Sequence, residues 1–341
     1  LIFEAAYHLD FTDFRKSARA IFTLAVPGVM FTIALTAALL VASSRVTPWV
    51  SGFGWSHALV FSALIAATDP IAVVALFKRL GAPRRLAVLT EGESLINDGT
   101  AIVLFTIISA TVSSGSRIAV ADAALDFVKV VGLGVLVGGV IAVLTSQILR
   151  RVDEPMIEIT LTMVTAYGSF VLAERWHASG VIATVTAGMT CGSYAAPRMM
   201  NAGTRIAVES FWEYVAFALN SLVFLLIGLE VRVSLLARSW LDIAIAFVIV
   251  ILARAIVVFG VAAIFRRTSE QISFRWSVML TWGGLRGALS MVLALALPSD
   301  FQGREEIVTM TFGVVLVSIV LQGMTAGPVL RRLGLAGETA S

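Results

Sequence analysis

The chain has 341 residues, 58% of them hydrophobic and 14% charged, with a mean hydropathy of +0.93. A soluble domain would hold about 45–50% apolar and 25% charged residues, so this composition excludes an ordinary water-soluble fold. The net charge of +3 and isoelectric point near 9.3 read as basic residues retained in the loops of one membrane side rather than as a nucleic-acid surface. The single Cys191 excludes an intrachain disulfide, and the three histidines show no paired metal-ligating spacing.

In chain order, Leu1-Ile2-Phe3-Glu4 opens without a methionine and reads as the tail of a spanning helix begun upstream; no signal peptide is visible, and a fragment is expected. Asp10–Arg19 reads as a short polar loop. Apolar runs of about 20 residues, the length of a spanning helix, follow near 20–42, 57–79, 91–113, 123–149, 156–174, 178–194, 210–230, 240–265, 274–297 and 305–327. The ten-residue alternation of a membrane barrel is absent. The expected fold class is therefore an all-α polytopic membrane protein, a single transmembrane domain over residues 1–341.

Lysines and arginines alternate between the loops. One set holds Arg15, Lys16, Arg19, Lys78, Arg79, Arg84, Arg85, Arg150, Arg151, Arg198, Arg205, Arg266, Arg267, Arg275, Arg331 and Arg332; the other holds Arg45, Arg117, Arg175, Arg232, Arg238 and Arg304. Sixteen against six predicts that the first set, with the C-terminus, faces the cytoplasm. Of the remaining three, Lys129 lies near a helix start and can snorkel, whereas Arg254 and Arg286 lie deep and call for partners.

Two segments carry helix breakers at mid-depth. The first has Ala66-Ala67-Thr68-Asp69-Pro70, where proline removes a backbone donor and biases Asp69 away from helix. The second has Trp282-Gly283-Gly284-Leu285-Arg286-Gly287, loosened by three glycines. By the loop charges the two run in opposite directions, the sequence pointer to an inverted-repeat transporter with two discontinuous helices. Broken helices expose charged half-helix ends: Asp69 suits a positive one, and Arg286 suits the negative ends or a pair with Asp69. Thr68 offers a hydroxyl and a freed carbonyl, ligands for a small hard cation.

Between the breaks stands Thr90-Glu91-Gly92-Glu93-Ser94-Leu95-Ile96-Asn97-Asp98-Gly99-Thr100, at the opening of an apolar segment. On a helix, Ser94 with Asp98 and Glu93 with Asn97 each make an i,i+4 pair, and Asp98 lies about 10 Å along the axis from Glu91. A carboxylate at that depth is a functional candidate. The other segments read as scaffold. Gly132, Gly134, Gly138 and Gly139 allow close helix contact; Ser179, Thr184, Thr186 and Thr190 line a polar path or bond their own backbone. Trp212-Glu213-Tyr214 reads as an interfacial belt, Asn220 needs a partner, and residues 333–341 form a short polar tail.

Taken together, Glu91 to Asp98, Ala67-Thr68-Asp69-Pro70, Phe211-Trp212-Glu213 with Asn220, Phe224-Leu225-Leu226-Ile227-Gly228-Leu229, Leu252-Ala253-Arg254-Ala255 and Trp282 to Ser290 resemble, in order and nearly end to end, the monovalent cation:proton antiporters of the NhaP/NHE type. Leu1-Ile2-Phe3-Glu4 fits as well. The resemblance implies an inverted-repeat antiporter fold with two discontinuous crossing helices, a core domain moving against a dimerisation domain, and a homodimer in the lipid bilayer of the cell membrane. It implies that Asp98 binds cation or proton with Asn97 beside it, that Ser94, Thr68 and Glu4 add oxygens, and that Na+ is held by Asp98, Ser94 and Thr68. Glu93 pairs with Arg254, and Asp69 and Arg286 balance the breaks, with the two arginines interchangeable at this stage.

The expected activity is exchange of Na+, or Li+, for protons by alternating access. Desolvation disfavours a charged carboxylate and a bound cation favours it, so one buried group holds either ion but not both. An electroneutral one-for-one exchange is expected, because Asn97 stands where electrogenic relatives carry a second aspartate. No enzymatic activity, cofactor or nucleic-acid partner is expected. A potassium/proton antiporter of the same fold is the alternative, followed by a channel and a non-transporting sensor; an intramembrane protease lacks its His-Glu-x-x-His motif.

Overall fold

The computed structural model describes residues 1–46, 54–113, 120–230 and 232–337, and side chains except those of residues 44–46 and 120. Arg117 and the side chain of Arg45, both of the sparse loop set, lie outside the described residues, as do residues 338–341 of the tail. Among the described residues the regular structure is helical, with no strand. In order the helices are α1 (Ile2–His8), α2 (Phe11–Lys16), α3 (Ala18–Thr23), α4 (Val29–Val46), α5 (Trp55–Ala66), α6 (Ile71–Arg79), α7 (Arg84–Ser113), α8 (Val120–Leu149) and α9 (Pro155–Arg175). Then follow α10 (Gly180–Thr190), α11 (Ala196–Met199), α12 (Ala202–Glu230), α13 (Val233–Arg238), α14 (Trp240–Ile264), α15 (Phe274–Trp282), α16 (Ala288–Leu295), α17 (Arg304–Val317) and α18 (Met324–Arg332).

Eight helical stretches among the described residues are long and apolar enough to cross a membrane: Ala18–Ser43, Trp55–Arg79, Arg84–Ser113, Ala121–Leu149, Pro155–Arg175, Ala202–Glu230, Trp240–Arg267 and Arg304–Arg332. Each coincides with an apolar run of the sequence. The two other runs are not among them: 274–297 is interrupted at residues 283–287, and 178–194 forms α10 followed by a π-helical turn at Cys191–Ala195. Two boundaries differ from expectation. The polar stretch after residue 10 forms the short helix α2, with Asp10 accepting hydrogen bonds from the backbone N–H of Thr12 and Asp13. Helix α7 begins at Arg84, so Asp98 stands near the middle of a 30-residue helix instead of one end.

The chain separates into two compact units. The first comprises Leu1–Arg15 and Ala119–Leu226. In it α10 is covered by α1, α8 and α9. Close approach of α8 and α10 needs Gly138, where a Cβ would run into the Ala183 carbonyl, and Gly134, where it would lie 2.8 Å from the Ser179 oxygen. The glycine run thus serves contact inside this unit at two of its four positions; Gly132 and Gly139 meet nothing closer than 4.0 Å. The hydroxyls of Thr184, Thr186 and Thr190 donate to the carbonyls one turn back, and Ser179 caps α10 by accepting from Ile182 N–H. Trp212 corrects the interfacial reading: it is 3% exposed, its indole N–H donates to Thr162 at 3.0 Å, and its ring packs on Phe3. Tyr214, two residues on, is 71% exposed, in keeping with a face toward lipid.

The second unit comprises Lys16–Ile118 and Ile227–Ser341. Here α5 packs between α4 and α7, and α14 packs on α4, α15 and α17. The end of the described chain folds back: Gly337 N–H donates to Leu80 C=O in the turn between α6 and α7, and backbone meets backbone there at Gly81.

Candidate functional site

The site grows from two failures of helix inside the second unit. Residues 67–70 leave the helical path between α5 and α6, as Pro70 requires, because it has no N–H and its ring crowds the preceding turn. Residues 283–287 leave it between α15 and α16, where glycines permit the close contacts described next. The two interruptions meet: Asp69 N–H donates to Leu285 C=O at 2.8 Å. A Cβ on Gly287 would run into the Asp69 side chain, and one on Gly284 into the Arg254 guanidinium. Only glycine leaves that space.

Each break frees carbonyls at the negative end of its first half-helix, and each set is met by an arginine. Arg286, buried, donates through Nη1 to the carbonyls of Ile65, Ala66 and Ala67 that end α5. The suggested ion pair of Arg286 with Asp69 does not form among the described residues; the guanidinium supplies five donors, and three carbonyls at a helix C-terminus, carrying partial negative charge, are nearer. Asp69 instead caps the positive end of α6, its Oδ1 accepting from Ile71 N–H at 3.1 Å. Arg254 donates to Leu280 C=O in the last turn of α15. It also grips both oxygens of Glu93, at 3.1 and 2.9 Å, a bidentate pair with both partners buried.

Helix α7 brings the remaining residues to the first break. Ser94 Oγ donates to the carbonyl of Thr68. Asn97 Nδ2 donates to Ala66 C=O at 3.2 Å and to Thr68 Oγ1 at 3.0 Å. The faces of α7 therefore divide differently from the i,i+4 pairing: Ser94 and Asn97 share the face toward the break, and Glu93 turns to Arg254. Of this set, Asn97 Oδ1 and Asp98 Oδ1 are buried oxygens without a hydrogen-bond partner among the described residues. Asp69 and Glu93 are the charged neighbours acting on Asp98. Ser94 and Thr68 use their hydroxyls on one another's surroundings yet keep lone pairs, since a hydroxyl accepts twice. Carboxylate, amide, hydroxyl and carbonyl oxygens on neighbouring residues of α7 and the first break are donors that suit a hard cation rather than a soft transition metal. Glu4 belongs to the first unit, on α1, with His8 Nδ1 3.4 Å from its carboxylate.

Sequence reading missed Ser318 and Gln322. Ser318 Oγ accepts from Arg286 N–H at 2.9 Å and donates to Gln322 Oε1, while Gln322 Nε2 donates to Trp282 C=O at 2.9 Å. Both sit in a π-helical turn, Ser318–Gly323, and close off the backbone groups that the second break exposes. The only signal was a glutamine inside an apolar run. Asn220 makes no hydrogen bond among the described residues, leaving its expected partner unassigned.

Interrupted helices that meet within a membrane around buried charge are the build of a secondary transporter. The family described as sodium/hydrogen exchanger, transmembrane, matches residues 1–332, and the chain belongs to it. The chain is 38% identical over 341 residues to the Na(+)/H(+) antiporter ApNhaP of Aphanothece halophytica, covering all of this chain and 64% of that protein. It is 39% identical over 338 residues to the Na(+)/H(+) antiporter NhaG of Bacillus atrophaeus, covering 98% and 62%, so the chain spans less than two thirds of the length of both. With the Na(+)/H(+) antiporter NhaP of Pseudomonas aeruginosa it shares 38% identity over 339 residues, 98% of this chain and 79% of that one. The fold is that of the sodium proton antiporter MjNhaP1 from Methanocaldococcus jannaschii, with a TM-score of 0.78 at 19% identity over 99% of this chain and 84% of that structure.

Proposed function

We propose that the chain exchanges sodium for protons across a membrane, one for one, through competition of the two ions for Asp98. The observation that carries this reading is the contrast in satisfaction around the first break. Among the described residues every other charged group there is paired or capped, while Asp98 Oδ1 and the adjacent Asn97 Oδ1 are buried without hydrogen-bond partners. A buried carboxylate oxygen in that condition is unfavourable as a bare anion and is relieved by a proton or by a cation. Loaded with either, the site is near neutral; empty, it is costly to bury, which couples the two fluxes. Asn97, Ser94 and the Thr68 hydroxyl and carbonyl supply the further oxygens, and Glu4 is assigned the same role by family resemblance. Glu93 is engaged through both oxygens by Arg254, and this reading treats the pair as frame.

The relatives named as Na(+)/H(+) antiporters support the choice of ions. The alternation of loop charges supports a cytoplasmic C-terminus in a cell membrane, and family resemblance supports a homodimer. The test is proton movement in proteoliposomes with an internal pH dye, under pulses of sodium, lithium or potassium and with the membrane potential clamped at zero. Sodium-driven alkalinisation in the parent that vanishes in Asp98→Asn is the expected result. A response to potassium in place of sodium selects the potassium exchanger. Equal proton movement in parent and mutant overturns the assignment of Asp98.

A further inference from the structure

A second buried carboxylate, far along the chain from this site, belongs to the first unit. Glu158 stands in the first turn of α9, is 0% exposed, and has neither oxygen hydrogen-bonded among the described residues. We infer that Glu158 is a proton-binding site distinct from Asp98, holding its proton reversibly at the start of α9.

Its surroundings leave it no donor. One turn on, the Thr162 hydroxyl donates to Ile159 C=O and accepts the Trp212 indole N–H. On α12, Arg205 is engaged with Glu209 at 2.8 Å. Asn201 donates to Asp153 at 2.6 Å, and the Tyr7 hydroxyl on α1 donates to the Met200 sulfur. Asp153, in the preceding loop, is the charged group that acts on Glu158, and Glu158 in turn acts on Tyr7 of α1, whose own further neighbours are Arg205 and Glu209 on α12 and Cys191. Helix α10 contributes no titratable group, and on α8 the titratable residues Asp122, Asp126 and Lys129 sit at the opposite end, while Arg150 and Arg151 beyond it are exposed.

A carboxylate with its surface covered and no donor among the described residues is disfavoured as a bare anion, and protonation relieves this by removing the charge. The positive end of α9 pulls the other way, favouring the anion. The two opposing effects make the group a reversible acid rather than a permanently neutral one: carboxylic acid gives carboxylate and a proton released to solvent. Loss of the proton sets a second negative charge near Asp153, which stresses the contacts of α9 with its neighbours in this unit. The inference rests on the first unit alone and stands whether or not Asp98 transports.

The test is pH-difference infrared spectroscopy of the full chain in lipid nanodiscs, in the parent, Asp98→Asn, Glu158→Gln and the double mutant. A protonated-carboxyl band that disappears as pH rises is expected in Asp98→Asn and is expected to be missing from the double mutant. A band unaffected by Glu158→Gln overturns the inference, as does the absence of any titrating band in Asp98→Asn. A band in Asp98→Asn that is displaced by sodium at constant pH overturns it in favour of a cation site. Should Glu158→Gln fold poorly, Glu158→Asp is expected to keep the band with a displaced titration midpoint, and an unchanged midpoint counts against the site. Failure of sodium-driven proton movement in vesicles leaves these spectra unaffected, so the two readings fail separately.

Discussion

Two faces of one helix hold carboxylates five residues apart with opposite fates. Glu93 on α7 gives both oxygens to Arg254, which also closes the end of α15. Asp98, further along α7, keeps a buried oxygen with no hydrogen-bond partner among the described residues, and the amide oxygen of Asn97 is in the same condition. Burial alone therefore does not mark the working group. The satisfied carboxylate is part of the frame, because both its oxygens are held by a guanidinium that also closes α15; the unsatisfied one is the group to which the proposed exchange assigns the ion.

The largest expected difference between the faces is functional. Asp98→Asn is expected to abolish sodium-driven proton movement while the purified protein keeps a melting temperature close to that of the parent. Sodium should raise the melting temperature of the parent and not of the mutant, since only a ligand that binds the folded state stabilises it. A sodium-dependent rise preserved in Asp98→Asn would place the ion elsewhere. On the other face, Glu93→Gln leaves Arg254 buried without its counter-charge and should cost about 3–5 kcal/mol, read as a large fall in melting temperature. A double mutant, Glu93→Gln with Arg254→Gln, should recover part of that loss; no recovery would mean that the pair is not coupled.

Arg286→Gln comes next. It removes charge-assisted bonds to the carbonyls of residues 65–67 and should cost about 1.5–3 kcal/mol, with transport lowered because Thr68 is held by the same turn. A mutant as stable as the parent would show that water caps α5 equally well. The smallest effect is expected at the end of the described chain. A Cβ on Gly337 would lie 2.9 Å from the Gly81 oxygen, so Gly337→Val should detach the tail from the α6–α7 turn at a cost of about 0.5–1 kcal/mol. Faster hydrogen exchange at residues 80–82 would report it, and unchanged exchange would show that the turn stands without the tail.

Much of this was legible in the chain itself. Apolar runs long enough to span a bilayer fix helices because lipid satisfies no backbone group, and eight runs appear as helical stretches of that length, one of them interrupted at residues 67–70. Pro70 and the glycines from Gly283 announced both breaks, since each removes a local reason for helix. The depth of Glu93, Asp98, Arg254 and Arg286 followed from charge inside apolar sequence. Partner choice did not follow. Two arginines and several carboxylates in the same layer are interchangeable in a one-dimensional reading, and only the meeting of the two breaks brings Arg286 to the α5 carbonyls and leaves Glu93 for Arg254. Ser318 and Gln322 were hidden for a related reason: neutral polar residues in an apolar run give no sign of which distant backbone they meet. Trp212 was misplaced because aromatic side chains suit both an interface and a core, and a hydrogen bond to Thr162, fifty residues away in sequence, decided between them. Sequence determined where the polar groups lie in depth, because desolvation acts on each residue singly; tertiary structure decided which of them are satisfied, because hydrogen bonds and ion pairs depend on a second group brought near from elsewhere in the chain.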